Sequence, residues 1–302
     1  MATLDSTDLR DGYADLADVR LHYVEAGDGP LVVLLHGFPE FWFGWRFQIP
    51  ALAAARFRVV APDMRGYNLS SRPAGVAAYD IDRLAADVRD LIRERGDDRA
   101  LLGGHDWGAA VAWATAINHP EVVERLAILN APHPRRLLHG LRRPRQLARS
   151  GYMFFFQLPW LPERIVRAAR WGSFRYGFEH DARPGAFTPQ DIGRYVEAWS
   201  QPGAATAMIN YYRAAFRGIR PRAAARIRPL HAPTLVIWGE HDRYLGPELA
   251  EPDRADVPQL ERVVRLPDAS HWVQHDEPER VGQLLVEFFA GAAGREPPAY
   301  AS

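Results

Sequence analysis

Apolar residues recur along the chain at two different periods. Residues 19–25 alternate as a half-buried strand does, a Gly/Asp/Pro turn occupies 27–30, and 31–35 is an unbroken apolar run. A run that short and continuous predicts a strand covered on both faces. The same figure returns at 57–61, 100–103, 126–129, 235–238 and 262–266. Between several of these the period becomes that of a helix, as at 81–95 and 107–118. Strands alternating with helices predict an α/β protein: a mostly parallel central sheet flanked by helices on both faces.

The strand signal stops between Asn130 and the neighbourhood of Leu230. Arginine, proline and bulky aromatics take its place, among them Phe154, Phe155, Phe156, Trp160, Trp171, Trp199, Tyr211 and Tyr212. A stretch of that length carries structure of its own, and the strand pattern resumes after it. We therefore expect one sheet interrupted by an inserted helical cap, with core residues 1–130, cap residues 131–228 and core residues 229–302. Most of the cap aromatics are expected to form the cap's own core. A homodimer contact is one outlet for any that this core cannot hold. Arg135, Arg136, Arg142, Arg143, Arg145 and Arg149 at the start of the cap read as an anion patch or as a solvated helix face, and we favour the second.

A length of 302 residues suits one large domain or a core with an insertion, and 47% hydrophobic with 25% charged residues is a globular composition. Lys+Arg 37 balances Asp+Glu 37, so no whole-molecule field draws in nucleic acid or an anionic membrane. All the basic residues are arginine and there is no cysteine. That excludes Schiff-base lysines, phosphate-loop lysines, thiol nucleophiles, disulfides and thiolate metal sites. The first 20 residues are polar and acidic, and no apolar run approaches a membrane span, which predicts a soluble, cytoplasmic protein.

Four loops that follow strands carry candidate chemistry. Residues 101–109 read LLGGHDWGA, where small residues flank Asp106 between a strand and a helix. This is the spacing of a nucleophile elbow, where glycines are needed because the turn is strained and tightly packed. An Asp in that position is equally a helix N-cap. Residues 34–39, LLHGFP, place a turn where such sheets supply an oxyanion-hole N–H. WGEHD from Trp238 offers an acid, Asp242 or Glu240, and DASHW from Asp268 offers His271 as a base. Each piece alone is weak; their order along the chain, each after its own strand, carries the argument.

Taken together these segments resemble the α/β-hydrolase superfamily, and within it the epoxide hydrolases. HGFPEFWFGWRFQIP from His36, PDMRGYNLSSRP from Pro62, GHDWGA from Gly104, WGEHDRYL from Trp238 and DASHWVQHDEPE from Asp268 look like that family's blocks. In the cap, SGYMFFFQLPWLPE from Ser150 and NYYRA from Asn210 look like the segments carrying its ring-opening tyrosines. The resemblance implies a triad of Asp106, His271 and Asp242, with Tyr152 and Tyr212 as proton donors and Tyr211 as a rival one position away. It further implies Phe38 and Trp107 as the oxyanion hole, and Phe38, Trp107, Phe155 and Tyr211 as substrate-binding residues. The reaction implied converts an apolar or aromatic small-molecule epoxide and water to a vicinal diol, through an ester on Asp106, with no metal or organic cofactor. Haloalkane and haloacetate dehalogenases share the Asp nucleophile. However, Trp107 and Ala110 stand where haloacetate-type relatives hold arginines, and Phe38 stands where haloalkane-type relatives hold Asn. A ligand-binding homologue with little turnover is the remaining alternative.

Overall fold

The computed structural model describes residues 9–218 and 227–291. Its centre is an eight-stranded sheet: β1 (Arg10–Asp15), β2 (Arg20–Ala26), β3 (Leu31–Leu35), β4 (Arg58–Pro62), β5 (Ala100–His105), β6 (Val123–Leu129), β7 (Thr234–Gly239) and β8 (Leu260–Leu266). The spatial order is β1-β2-β4-β3-β5-β6-β7-β8. The β2 strand is antiparallel to its neighbours, and β4 to β8 are parallel. All seven strands expected from the pattern are present. The β1 strand was missed because only Ala14 of its six residues is buried, so an edge strand with little apolar content leaves no signal.

The buried runs divide between two cores. In β3, Leu31, Val33 and Leu35 face one cluster and Val32 and Leu34 the other, as period-two geometry requires. The first cluster includes Leu84, Val88 and Leu91 of α2 (Ile81–Glu94), and Val111 and Trp113 of α3 (Trp107–Asn118). The second includes Ile49 and Leu52 of α1 (Gln48–Ala54).

Among the described residues six α-helices stand between β6 and β7: α4 (Pro134–Gly140), α5 (Pro144–Arg149), α6 (Gly151–Phe155), α7 (Leu161–Tyr176), α8 (Pro189–Trp199) and α9 (Ala204–Gly218). This is the inserted cap; residues 219–226, within its expected span, lie outside the described residues. The cap aromatics only partly follow expectation. Phe156, Trp171, Trp199, Tyr211 and Tyr212 are buried, whereas Phe154 and Trp160 are exposed. The helices α10 (Val273–Asp276) and α11 (Pro278–Ala290) follow β8, and α11 packs beside α1. Among the described residues no helix is long and apolar enough to cross a membrane.

Because β3 feeds β4 on one side and lies beside β5 on the other, the chain reverses its direction of travel across the sheet there. A crevice opens where the two connections leave in opposite directions. The carboxyl ends of β3, β5, β6, β7 and β8 lead into His36–Pro39, Asp106, Asn130, Asp242 and the loop holding His271. Parallel strands therefore collect residues far apart in sequence at one edge, beneath the cap.

Candidate active site

Asp106 follows β5 directly, and its backbone sits at φ +50°, ψ −118°. A non-glycine residue held there is strained, and tight packing enforces it. A Cβ on Gly104 would lie 2.6 Å from the Gly108 carbonyl oxygen, and one on Gly108 would collide with the carbonyl of Leu35. The Asp106 side chain makes no capping bond to α3. Instead Oδ1 accepts the Phe38 N–H at 2.8 Å, while Oδ2 lies 3.6 Å from His271 Nε2.

On its other side, His271 donates from Nδ1 to Asp242 Oδ2 at 2.7 Å. Asp242 Oδ2 also accepts from Asn130 Nδ2 at 2.7 Å, and Oδ1 accepts the N–H groups of Tyr244 (2.7 Å) and Leu245 (2.8 Å). Asn130 in turn accepts the Gly239 N–H at 2.9 Å. Burial alone would raise the Asp242 carboxyl, but the His271 charge, Asn130 and the Leu245 N–H outweigh it and hold the group below its ordinary value. Burial likewise disfavours a charged His271, yet the carboxylates of Asp242 and Asp106 on either side raise its pKa to about 10. With both carboxylates charged, the imidazole is therefore an imidazolium at neutral pH. Glu240, the other acid weighed, is paired with Arg265 at 3.3 Å, away from the histidine.

The cap closes over Asp106 with rings. Tyr212 stands edge-on to Phe38 (5.0 Å between centroids), Trp107 (5.1 Å) and Tyr152 (5.6 Å). Burial, reinforced by the Asp106 charge, pushes both tyrosine hydroxyls up, so both remain protonated donors. Tyr211, one residue earlier on α9, points elsewhere, because consecutive helical residues differ by about 100° in direction. Its hydroxyl donates to the Arg65 carbonyl at 2.7 Å, and its ring meets that of Trp107 edge-on at 5.4 Å. Phe155 is half-buried beside Phe156.

Sequence reasoning missed a buried network behind the base. Glu40 accepts from Tyr195 (2.9 Å) and His275 (2.7 Å) through Oε1, while Oε2 meets Gln274 (3.0 Å) and His105 (3.1 Å). Arg46 donates to His275 Nδ1, so His275 must donate to Glu40 from Nε2 as a neutral ring. Burial alone would raise the Glu40 carboxyl; His275 and His105 outweigh it and hold it well below its ordinary value. His105 Nε2 donates to the His271 carbonyl at 2.9 Å. Glu40 and His105 both lie inside recognisable blocks, but nothing in either block signals that they meet. Asn130 had no signal beyond its place after β6. Among the described residues no cluster of His, Asp or Glu is arranged to hold a metal.

The α/β-hydrolase fold family matches residues 30–278. The AB hydrolase superfamily protein YfhM of Bacillus subtilis is 43% identical over 277 residues, covering 89% of this chain and 94% of that protein. Epoxide hydrolase 4 of Homo sapiens is 38% identical over 278 residues, covering 89% of this chain and 75% of its own length. Among solved structures, an epoxide hydrolase from Bacillus megaterium in complex with an inhibitor superposes with a TM-score of 0.82 at 32% identity, covering 92% of this chain and 99% of the other. Epoxide Hydrolase A from Mycobacterium thermoresistibile gives a TM-score of 0.82 at 32% identity, with 94% and 98% covered. With the elbow, the cap and the ordered loops already in place, these likenesses show that the chain belongs to the epoxide hydrolases of the α/β-hydrolase fold.

Proposed function

We propose that the protein hydrolyses apolar, ring-bearing epoxides to vicinal diols through an ester on Asp106. The observation that carries this reading is the pair of neutral phenols, Tyr152 and Tyr212, set among the same rings that flank a carboxylate backed by a His/Asp pair. An epoxide carbon is electrophilic but its oxygen leaves poorly, so attack by a carboxylate needs proton donors on the far side of the ring. In the scheme, Asp106 attacks through Oδ2, because Oδ1 is held by the Phe38 N–H. One C–O bond of the ring breaks, the new C–O bond forms to Oδ2, and a tyrosine proton passes to the ring oxygen.

Forming the ester removes the Asp106 charge beside His271. Part of what raised the imidazolium pKa is thereby lost, and the ring can then act as a base toward water. The water attacks the ester carbonyl, and the developing oxyanion on Oδ1 is met by the Phe38 N–H with Trp107 in the oxyanion role. Collapse breaks the acyl C–O bond, and His271 returns a proton to the departing Oδ2. The imidazolium's original proton has by then restored the phenol, and the second proton of the water passes from the Asp106 carboxyl to His271, so the resting charges return and epoxide plus water balances diol. Asp242 orients His271, and Asn130 orients Asp242. The rings of Trp107 and Phe38 beside Tyr212 support a reading of the substrate as apolar or aromatic, whereas Tyr211, expected to bind substrate, has its hydroxyl bound to the Arg65 carbonyl instead.

The test is a single turnover in ¹⁸O-water with enzyme in excess over an aryl epoxide, beside bromoacetate and a bromoalkane. Diol should form with the label entering the Asp106 peptide and not the first-turnover product. His271→Gln should accumulate the alkyl adduct on Asp106. Label in the first diol would overturn the ester route, and halide release without diol would overturn the epoxide assignment.

A further inference from the structure

The neutral total charge conceals a segregation. Positions 131–218, the cap, carry fourteen arginines against five carboxylates, and the rest of the chain balances that excess of nine with nine negative charges. Within the cap the excess is concentrated on one outer stretch. Arg142, Arg143, Arg145, Arg164, Arg167 and Arg170 are all exposed, and among the described residues none of these six is in a salt bridge. The stretch between them holds one carboxylate, Glu163, whose two oxygens are already bound by Arg213 at 2.6 and 3.1 Å.

Interleaved with these arginines are large apolar side chains turned to solvent: Leu147, Phe154, Leu158, Ile165 and, 67% exposed, Trp160. Trp160 is held outward from a left-handed backbone at φ +51°, just before α7. Its neighbour Phe156, by contrast, is buried among the rings of the site. The short α6 helix thus turns Tyr152 toward the site and Phe154 toward water. Single exposed apolar residues are ordinary, but several within twenty residues, flanked along the chain by exposed cations that are in no salt bridge among the described residues, mark a surface with a partner.

We infer that this outer face of the cap docks on an anionic phospholipid surface, with Trp160, Leu158 and Phe154 entering the headgroup region and the arginines meeting phosphates. Aromatic and aliphatic side chains beside cations are what an interfacial, non-spanning contact requires. A second copy fits poorly, because a twofold contact through this patch sets the same arginines against one another. Nucleic acid would answer the cations and stack on Trp160, but it would leave Leu147, Leu158 and Ile165 without an apolar partner. Docking there places the back of the helix that carries Tyr152 against lipid, where apolar epoxides partition.

The experiment is co-sedimentation of the full chain with phosphatidylcholine vesicles, with and without about 30% phosphatidylglycerol, at low and high salt. Binding should be at least about tenfold stronger on the anionic vesicles and should be lost near 0.5 M salt, where charges are screened within a few ångströms. Trp160→Ser with Leu158→Ser should weaken it about tenfold or more, as should Arg164→Gln, Arg167→Gln and Arg170→Gln combined, with far-UV circular dichroism unchanged. The exposed arginine variant keeps the test decisive if the serine variant does not fold. Absent or lipid-independent vesicle binding by folded wild-type protein would overturn the inference. A dimer in sedimentation velocity that Trp160→Ser disperses, without vesicle binding, would assign the face to a second copy; binding of single-stranded RNA without vesicle binding would assign it to nucleic acid. None of these readouts depends on turnover, so failure here leaves the epoxide reading standing.

Discussion

Tyr211 and Tyr212 are adjacent on one helix and both buried, yet their hydroxyls have different fates. Tyr211 donates to the backbone carbonyl of Arg65, whereas Tyr212 stands among Phe38, Trp107 and Tyr152. Tyr212→Phe should therefore slow ring opening by about 10²–10⁴-fold, the range of a lost general acid, measured as adduct formation in a single turnover. Tyr211→Phe should cost about 1 kcal/mol of stability through one lost hydrogen bond and leave ring opening nearly intact. The reverse pattern would exchange the two roles. His271 offers a second check at this scale. Its pKa stands near 10 because two carboxylates outweigh burial, so Asp106→Asn should lower it, as read by nitrogen chemical shifts in a pH titration. An unchanged value would mean that Asp106 contributes nothing to the charge on the base.

At the scale of elements, the elbow is the feature whose cause is most local. Gly108 lets α3 start against the carbonyl of Leu35, so Gly108→Ala must push the end of β3 or the start of α3 aside, at a cost of about 1–3 kcal/mol in urea unfolding. Three cap side chains donate to the loops after β3 and β4, where Asp191 also accepts from Arg46. Tyr195 donates to Glu40, Trp199 donates to the Pro39 carbonyl, and Tyr211 donates to the Arg65 carbonyl. All three donors come from α8 and α9, so these helices hold the closed position over Asp106. Tyr195→Phe removes one of Glu40's buried donors. Amide hydrogen exchange in α8 should then rise before that of β3 or β5, since local opening draws on the least-supported unit. Seven strands were legible at this scale, because apolar alternation or an unbroken apolar run announces a buried strand, whereas their order in the sheet came only with the structure. The β1 strand was not, being polar and at the sheet edge.

For the molecule as a whole, the buried imidazolium links stability to pH. The ring binds its proton more tightly folded, near pH 10, than unfolded, near 6.5. Its contribution is complete below pH 6.5 and is lost as pH rises through 10, so wild-type unfolding free energy should decline across that window. Asp106→Asn should flatten the decline, and an equal slope in both proteins would refute the linkage. The fold class, the cap's existence and the order of the chemical loops were decided by the sequence alone, because strand period, helix period and the sterics of a glycine-flanked elbow act over a few residues. Contacts between distant positions were decided only by the tertiary structure. The pairing of Glu40 with His105, Asn130 behind Asp242, Asp242 rather than Glu240 facing the histidine, and Tyr212 rather than Tyr211 over the carboxylate all depend on which loops the parallel sheet brings to one edge. Charge divides between the two: the excess of nine at positions 131–218 is legible along the chain, whereas only the tertiary structure decides which of those arginines stand exposed and outside the described salt bridges.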